Sequence, residues 1–355
     1  MIGNKKTNNS RFFFRIPIIM LLFIFFAIMS VHAQNDNAAI ESYFGNGEDD
    51  FQSLLEDLTT RGVAAFDSAA VMTAMMGNKW SDSYIGPVIS PIPHFGIGLT
   101  LGSSFRSTGS LGEAVDPKGL FSLLGFDELE EAAGEIGGSY FIPGYSLDVR
   151  IGGIEAVPFD VGFKVGYFPL FGELEDGDLQ GNYFLVGGDI RYQLVKPSFE
   201  FVPEISAGVG YSFLRYDLNF IGTNNLVGTN SSGAVLTNAG YTNQEAYPYA
   251  WIELDTHVLE FMVQGGWNFL GVIKPYLGAS AYFSDTTLAS TAGIDLRDVE
   301  DRIEIREEDT VGTPLGLRVF GGLGFALAWF NAQFGLSYHP EDTVVGMSTG
   351  FRVQL

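Results

Sequence analysis

The residues Thr343–Leu355, with the sequence TVVGMSTGFRVQL, alternate two kinds of side chain almost without error. The odd-numbered positions are mostly large and apolar: Val345, Met347, Thr349, Phe351, Val353 and Leu355. The even-numbered positions are mostly small or polar: Val344, Gly346, Ser348, Gly350, Arg352 and Gln354. A period of two residues is typical of a β-strand with one apolar and one polar face. We therefore predict a long terminal strand.

The same alternation recurs about ten times between residues 94 and 355. A soluble β-sandwich would have to hide every apolar stripe, whereas a transmembrane barrel turns all of them toward lipid. Short connections alternate with longer ones at about 106–139, 171–182, 221–246 and 286–313, as periplasmic turns alternate with external loops. The sequence predicts an all-β, antiparallel up-and-down outer-membrane β-barrel over residues 94–355 with about ten strands. A count of twelve follows if Ile303-Glu304-Ile305 or the segment 221–246 forms another hairpin.

One strand departs from the regular alternation. After Phe213 the apolar residues change phase, so that Leu214, Tyr216 and Leu218 share a face. An extra residue in one strand produces such a change, so we predict a β-bulge at this point.

Residues 1–33 have the pattern of a signal peptide. A basic start precedes the apolar stretch Ile16–Ile28, and small residues lead to a predicted cleavage after Ala33. The alternative, an uncleaved membrane anchor, is disfavoured because the apolar stretch is shorter than the ~20 residues that span a bilayer. The chain has no cysteine, which excludes a lipoprotein anchor and disulfides. These features predict location in the cell outer membrane.

The charge of the chain limits its partners. The net charge is −23, and removal of the leader, which carries four positive charges and no acids, brings it to about −27. Such a charge argues against nucleic acid as a partner. The expected partners are outer-membrane lipid around the barrel, the barrel-assembly machinery through the terminal strand, and a small solute.

Residues 34–93 precede the barrel. Residues 34–50 are polar and acidic and are expected to form a periplasmic lead-in, whereas residues 50–76 have apolar residues at helical spacing, with Gly62 as a dividing point. Inward glycines at 96, 98, 102, 316, 322 and 324 leave unfilled lumen, and barrels of more than about eight strands need a plug or hold water. We predict that the helical stretch enters the lumen through Leu54, Leu58 and Phe66. The alternative is a helix at the periplasmic mouth or on a partner.

Charged residues of both signs fall on the predicted inner face. They are Asp148, Arg150, Asp160, Lys164, Asp189, Arg191, Glu204, Glu260, Arg318 and Arg352. In a narrow barrel they pair into a structural network, because buried charges need partners. The functional alternative is a polar pathway whose selectivity these groups set.

Catalytic patterns are absent from the sequence. The histidines after the leader are His94, His257 and His339, and no nucleophile elbow, metal-binding histidine pair or phosphate loop is present. We expect no enzymatic activity, no cofactor and no metal site.

Two resemblances bear on function. The stretches Trp80–Gly86 (WSDSYIG) and Pro93–Gly98 (PHFGIG) resemble those of uncharacterised spirochaetal outer-membrane barrel proteins. The helix before the barrel is similar in architecture to the long-chain fatty-acid transporter family, porin-like barrels of fourteen strands with an N-terminal hatch, although no residue motif is shared. The terminal strand resembles the signal that the assembly machinery reads, with Leu355 in place of the usual aromatic residue.

The sequence thus supports two functions of different kinds. The first is a channel or transporter for passive passage of small solutes, hydrophobic ones included. The alternative is a non-conducting structural or surface-interaction barrel of the adhesin type. Inward glycines and a removable helix favour the first, and inward charges able to cross-link the lumen favour the second.

Overall fold

A computed structural model describes residues 48–77, 80–87, 94–107, 139–154, 156–174, 177–196, 202–222, 246–296 and 301–354. The predicted signal peptide and the lead-in up to residue 47 lie outside these residues. Within these residues, one helix, α1 (Glu48–Ala74), precedes ten strands. The strands are β1 (Phe95–Ser107), β2 (Ser139–Ile154), β3 (Val157–Leu174), β4 (Gly177–Val195), β5 (Glu204–Gly222), β6 (Ala246–Gly266), β7 (Ile273–Leu296), β8 (Asp301–Leu327), β9 (Phe330–His339) and β10 (Val344–Gln354).

The ten strands form a closed barrel. Each strand pairs antiparallel with its neighbours in sequence, and β1 pairs with β10 from Gly96↔Gln354 to Arg106↔Val344. Closure leaves no unpaired strand edge, which a bilayer requires because it offers no water to free backbone groups. The predicted ten-strand barrel is confirmed. The twelve-strand alternative is wrong for the described residues, because Ile303 and Ile305 belong to β8 and pair with β7.

The two faces of the wall differ as the alternation predicts. Along β10, Val345, Met347, Phe351 and Val353 are exposed on the outside of the barrel, whereas Val344, Gly346, Gly350 and Arg352 are buried inside. The outward apolar residues form the band that faces lipid. None of the described helices is long and apolar enough to cross a membrane.

One side of the barrel is taller than predicted. The stretches 171–182 and 286–313, predicted as loops, are largely strand: β3 and β4 pair up to Leu174↔Gly177, and β7 and β8 pair up to Leu296↔Asp301. Residues 301–318 of β8 continue beyond its last pair with β9, Val319↔Tyr338. Strands β5–β8 therefore project past the apolar band at the end of the barrel that carries the long connections.

The β-bulge predicted at Phe213–Leu214 is wrong. The pairing of β5 with both neighbours is continuous there, and Leu214, Tyr216 and Leu218 are buried on the inner face. These apolar residues point inward because the lumen is occupied. Register shifts occur elsewhere, at Gly152/Ile154 in the β2–β3 pair, at Gln193/Val195 in the β4–β5 pair and at Tyr282/Ser284 in the β7–β8 pair.

The interior of the barrel holds α1. The helix runs without interruption through Gly62, so the predicted division there is wrong. It contacts nearly every strand, β7 and β8 most of all. The helix starts toward the long-connection mouth and runs toward the end where β1 begins.

Candidate functional site: the plugged lumen

We use the word plug for residues 48–77 and 80–87. From Phe66 to Gly77 every residue of the plug is buried, so this part of α1 is enclosed on all sides. Glu56, Thr60 and Ala64 are exposed and lie four residues apart, which places them on one helix face. The first half of α1 thus keeps one face in solvent, and the second half fills the barrel.

The end of α1 is fixed against the wall by Lys164 of β3. Its ammonium group donates hydrogen bonds to the carbonyl oxygens of Ala74 and of Met76, the latter at 2.5 Å. A cation suits this position because the last carbonyls of a helix have no helical partners and carry partial negative charge. Gly77 follows with φ +88°, and a Cβ there would lie 2.4 Å from Ser146 Oγ, so the turn requires glycine.

Near the long-connection mouth, α1 is bound by polar contacts. Arg106 of β1 donates a 2.8 Å hydrogen bond to the Ala64 carbonyl, and Ser68 donates to Asp342 in the β9–β10 turn. Burial raises the pKa of Asp67, which lies in the plug, although its carboxylate accepts hydrogen bonds from Thr286 at 2.6 Å and Thr313 at 3.1 Å.

Below α1, Trp80 lies across the lumen. Its ring packs on Gly96 of β1, where a Cβ would come within 2.6 Å of the indole. The guanidinium groups of Arg352 and Arg150 lie 4.4 and 5.4 Å from its ring centroid, within the range of cation–π attraction. Because Gly96 has no side chain, the Trp80 ring can pack directly against the β1 backbone.

Asp82 anchors the lower end of the plug. Its carboxylate pairs with Lys274 of β7 at 2.7 Å and with Arg352 of β10, and its carbonyl accepts a 2.8 Å hydrogen bond from Arg191 of β4. Burial alone would raise the pKa of Asp82, but the charges of Arg352 and Lys274 outweigh that effect and hold the pKa below its ordinary value. Asp82 is thus ionised at neutral pH and links the plug to three strands.

Further hydrogen bonds join this part of the plug to the rest of the ring. They are Gln264 Nε2 to the Trp80 carbonyl (2.6 Å), the Ser81 amide to Gln333 Oε1 (3.1 Å), Ser83 Oγ to the Glu204 carbonyl (3.2 Å) and the Ile85 amide to Asp160 Oδ2 (3.3 Å). Together with the Asp82 contacts they reach strands on every side of the barrel.

The ten charged residues that the sequence assigned to the lumen all lie on the inner side of the wall. Nine are buried, and Glu204, at the first position of β5, is half-buried. Across β2–β4, Arg150 pairs with Asp160 and, at 2.7 Å, with Asp189, and Arg191 pairs with Asp160 at 2.9 Å. Arg318 pairs with Glu260. Asp148 accepts hydrogen bonds from Thr100 at 2.6 Å and Ser146 at 2.9 Å.

The predicted plug residues are only partly placed. Phe66 is buried in the lumen, whereas the side chains of Leu54 and Leu58 lie outside the described part of the structure, although both residues belong to α1. The inward glycines do not leave empty space: Met76 lies over Gly102, Tyr282 over Gly316 and Ser81 over Gly324.

Sequence reasoning missed two parts of this site. Trp80–Ile85 has no helical or strand period, so the sequence gives no sign that it lies inside the barrel. The inward positions of Tyr183 in β4 and of Leu214 and Tyr216 in β5 were missed because they break the polar-inside rule. Tyr183 and Tyr216 lie with ring centroids 5.1 Å apart. The sequence did contain a signal of an occupied lumen. Leu214, Tyr216 and Leu218 place apolar side chains at inward positions of β5, and no turn residue interrupts the strand there.

The cavity found beside the described part of the plug is small. A cavity of about 30 Å³ lies between Met72, Met75 and Arg318, which is room for two or three water molecules. Among the described residues, no group of three or more histidine, aspartate or glutamate side chains is placed to hold a metal ion. Passage of a solute past these residues requires that the plug move.

Comparisons with known proteins concern the fold. No protein-family model matches the chain, and no curated protein sequence does. The translocator domain of the autotransporter NalP from Neisseria meningitidis is 11% identical, with 75% of this chain and 89% of that chain covered and a TM-score of 0.34. The Pseudomonas putida toluene transporter TodX is 10% identical, with 79% and 74% covered and a TM-score of 0.34. A Pseudomonas aeruginosa FadL homologue is 8% identical, with 82% and 97% covered and a TM-score of 0.29.

The closed antiparallel wall, the outward apolar band and the chain segment inside define the class: this is an outer-membrane β-barrel with a plugged lumen. The similarity to the long-chain fatty-acid transporter family extends to the barrel fold and no further. The resemblance to spirochaetal proteins has no counterpart among these structures.

Proposed function

We propose that the protein is an outer-membrane channel for passive passage of small solutes and that the plug closes it. The observation that carries the proposal is that no residue of the plug belongs to the wall, since β1 pairs directly with β10. Displacement of the plug would leave the strand pairing intact. The ten-strand lumen would then be wider than the roughly eight-strand barrel that wall side chains fill.

The lining indicates which solutes suit such a channel. Toward the outer half the inner wall is apolar and aromatic, with Tyr183, Leu185, Leu214 and Tyr216. Toward the periplasmic half it is charged, with the ion pairs around Arg150 and Arg191. We propose small solutes that combine an apolar part with a polar group. We further propose that the protein has no enzymatic activity.

A reversible lock tests the proposal. The hydroxyl oxygens of Thr73 in α1 and Ser104 in β1 lie 2.8 Å apart, so cysteines at both positions are within reach of a disulfide. The chain has no other cysteine to compete. In planar bilayers, the oxidised Thr73→Cys/Ser104→Cys protein should stay closed, and a reductant should restore the openings of the unmodified protein. Thr73→Cys alone is the control and should not respond.

The same measurement separates the channel from a second candidate. Strands β5–β8 project beyond the membrane band and carry paired charges, such as Arg215 with Asp255 and Glu253. This feature favours a non-conducting surface-interaction barrel. If neither the oxidised nor the reduced protein conducts, with the disulfide verified by mass spectrometry, the channel is rejected and this candidate is favoured.

A further inference from the structure

The contacts of the plug with β1 give its direction through the barrel. As the plug sequence advances, its partners move back along β1 toward the first residue of that strand. The pairs are the Ala64 carbonyl with Arg106 (2.8 Å), the Ala69 carbonyl with Ser104 Oγ (2.7 Å), Met76 over Gly102, and Trp80 over Gly96. The plug therefore runs antiparallel to β1 and traverses the lumen from one mouth to the other.

The two mouths are distinguished by their connections. β1 begins and β10 ends at the mouth with the short connections, such as residues 267–272 between β6 and β7 and residues 328–329 between β8 and β9. The opposite mouth carries the long connections and the β9–β10 turn, whose Asp342 accepts a hydrogen bond from Ser68 of α1. Short connections are typical of the periplasmic side and long ones of the outside.

The exposure pattern of α1 agrees with entry from the outer mouth. Glu56, Thr60 and Ala64 are exposed along one face, and complete enclosure begins at Phe66. The exposed part lies beyond the contact with Arg106, which is near the outer end of β1. The solvent that this face meets is therefore the solvent outside the membrane.

We infer that the start of α1 lies on the outer surface of the barrel and that the plug crosses the lumen from the outer mouth to the mouth where β1 begins. The cavity next to Met72 and Met75 has room for two or three waters, whereas a second helix would need a passage about 10 Å wide. The barrel thus encloses a segment of its own chain that passes from one mouth to the other. This inference does not depend on conduction of solutes.

Cysteine labelling of the otherwise cysteine-free full chain tests the inference. Three exposed positions serve: Glu56 in α1, Glu341 in the β9–β10 turn and Ala156 between β2 and β3. Intact cells carrying each single cysteine are treated with a membrane-impermeant maleimide, and the outer membrane is breached in a parallel sample. The shift of the folded barrel on unheated gels shows that each variant is assembled.

Glu56→Cys should label in intact cells to the same extent as Glu341→Cys, and Ala156→Cys should label only after breach. Labelling of Glu56→Cys only together with Ala156→Cys would overturn the inference. Because labelling requires no ion flow, a barrel that never conducts would leave this result unchanged. Conversely, a protein that conducts but whose Glu56→Cys labels only after breach would overturn the outer position of α1 and leave the proposed channel function standing.

Discussion

Removal of the charge at Asp82 should release the plug. In Asp82→Asn the side chain keeps its size, and the carbonyl that accepts from Arg191 is retained, but the ion pairs with Lys274 and Arg352 are lost. Breaking a buried ion pair by removing one partner costs roughly 3–5 kcal/mol. The side chains of Asp82 and Lys274 are 12% and 13% exposed, so water screens the pair in part and the lower end, about 3 kcal/mol, applies.

That free energy corresponds to a shift of the plug equilibrium by roughly 100-fold toward the displaced state. In single-channel recording at neutral pH, wild-type protein should be mostly closed. The open probability of Asp82→Asn should therefore be about two orders of magnitude higher than that of the wild type. The matched control is Glu56→Gln, which also removes one negative charge from the plug but on its exposed face. A folded Asp82→Asn barrel with wild-type open probability would refute the assignment of Asp82 as the anchor.

Three further predictions follow from the same contacts. Because the pKa of Asp82 is lowered, its ion pairs persist at neutral pH and are lost only as the pH falls through that lowered value. Openings of the wild type should increase at such acidic pH, and an equal increase in Asp82→Asn would contradict this. Gly96→Ala places a methyl group 2.6 Å from the Trp80 ring and should destabilise the plugged barrel by roughly 1–3 kcal/mol in urea unfolding. In a Trp80→Ala background the same substitution should lose this cost, and a cost that persists there would place the strain elsewhere. On the outward face of β8, Leu323→Arg should lower the free energy of unfolding by roughly 2–4 kcal/mol, whereas Thr310→Arg, on the projecting part, should lower it by roughly 0–1 kcal/mol. Equal losses in lipid unfolding assays would contradict the position of the apolar band.

The wall of the barrel could be predicted because its signal is local. Each outward stripe, such as Phe159, Val161, Phe163 and Val165 in β3, repeats within a few residues and needs no knowledge of the partner strand. The strand count and the inward charges follow from the same period. The projecting parts of β5–β8 were missed because strands outside the bilayer no longer need an apolar face, so their alternation fades into a polar composition typical of loops.

The lower plug and the direction of α1 could not be predicted for a different reason. Both depend on contacts between residues far apart in the chain, such as Asp82 with Lys274 and Ser68 with Asp342. An irregular segment like Trp80–Ile85 has no period to reveal that it is buried. Helix periodicity predicts which residues share a face of α1, but it is unchanged when the helix is inverted in the lumen.

The continuity of the plug with β1 has a consequence for the order of assembly. The seam between β1 and β10 joins the first strand to the last, and β10 is the last strand to leave the ribosome. If the ring closed first, α1 would have to be threaded through a finished pore against the bulk of Met72, Met75 and Trp80. Closing the seam around a helix already in place avoids that barrier. Pairing of β1 with β10 would then be the final step of assembly, completed with the plug already inside.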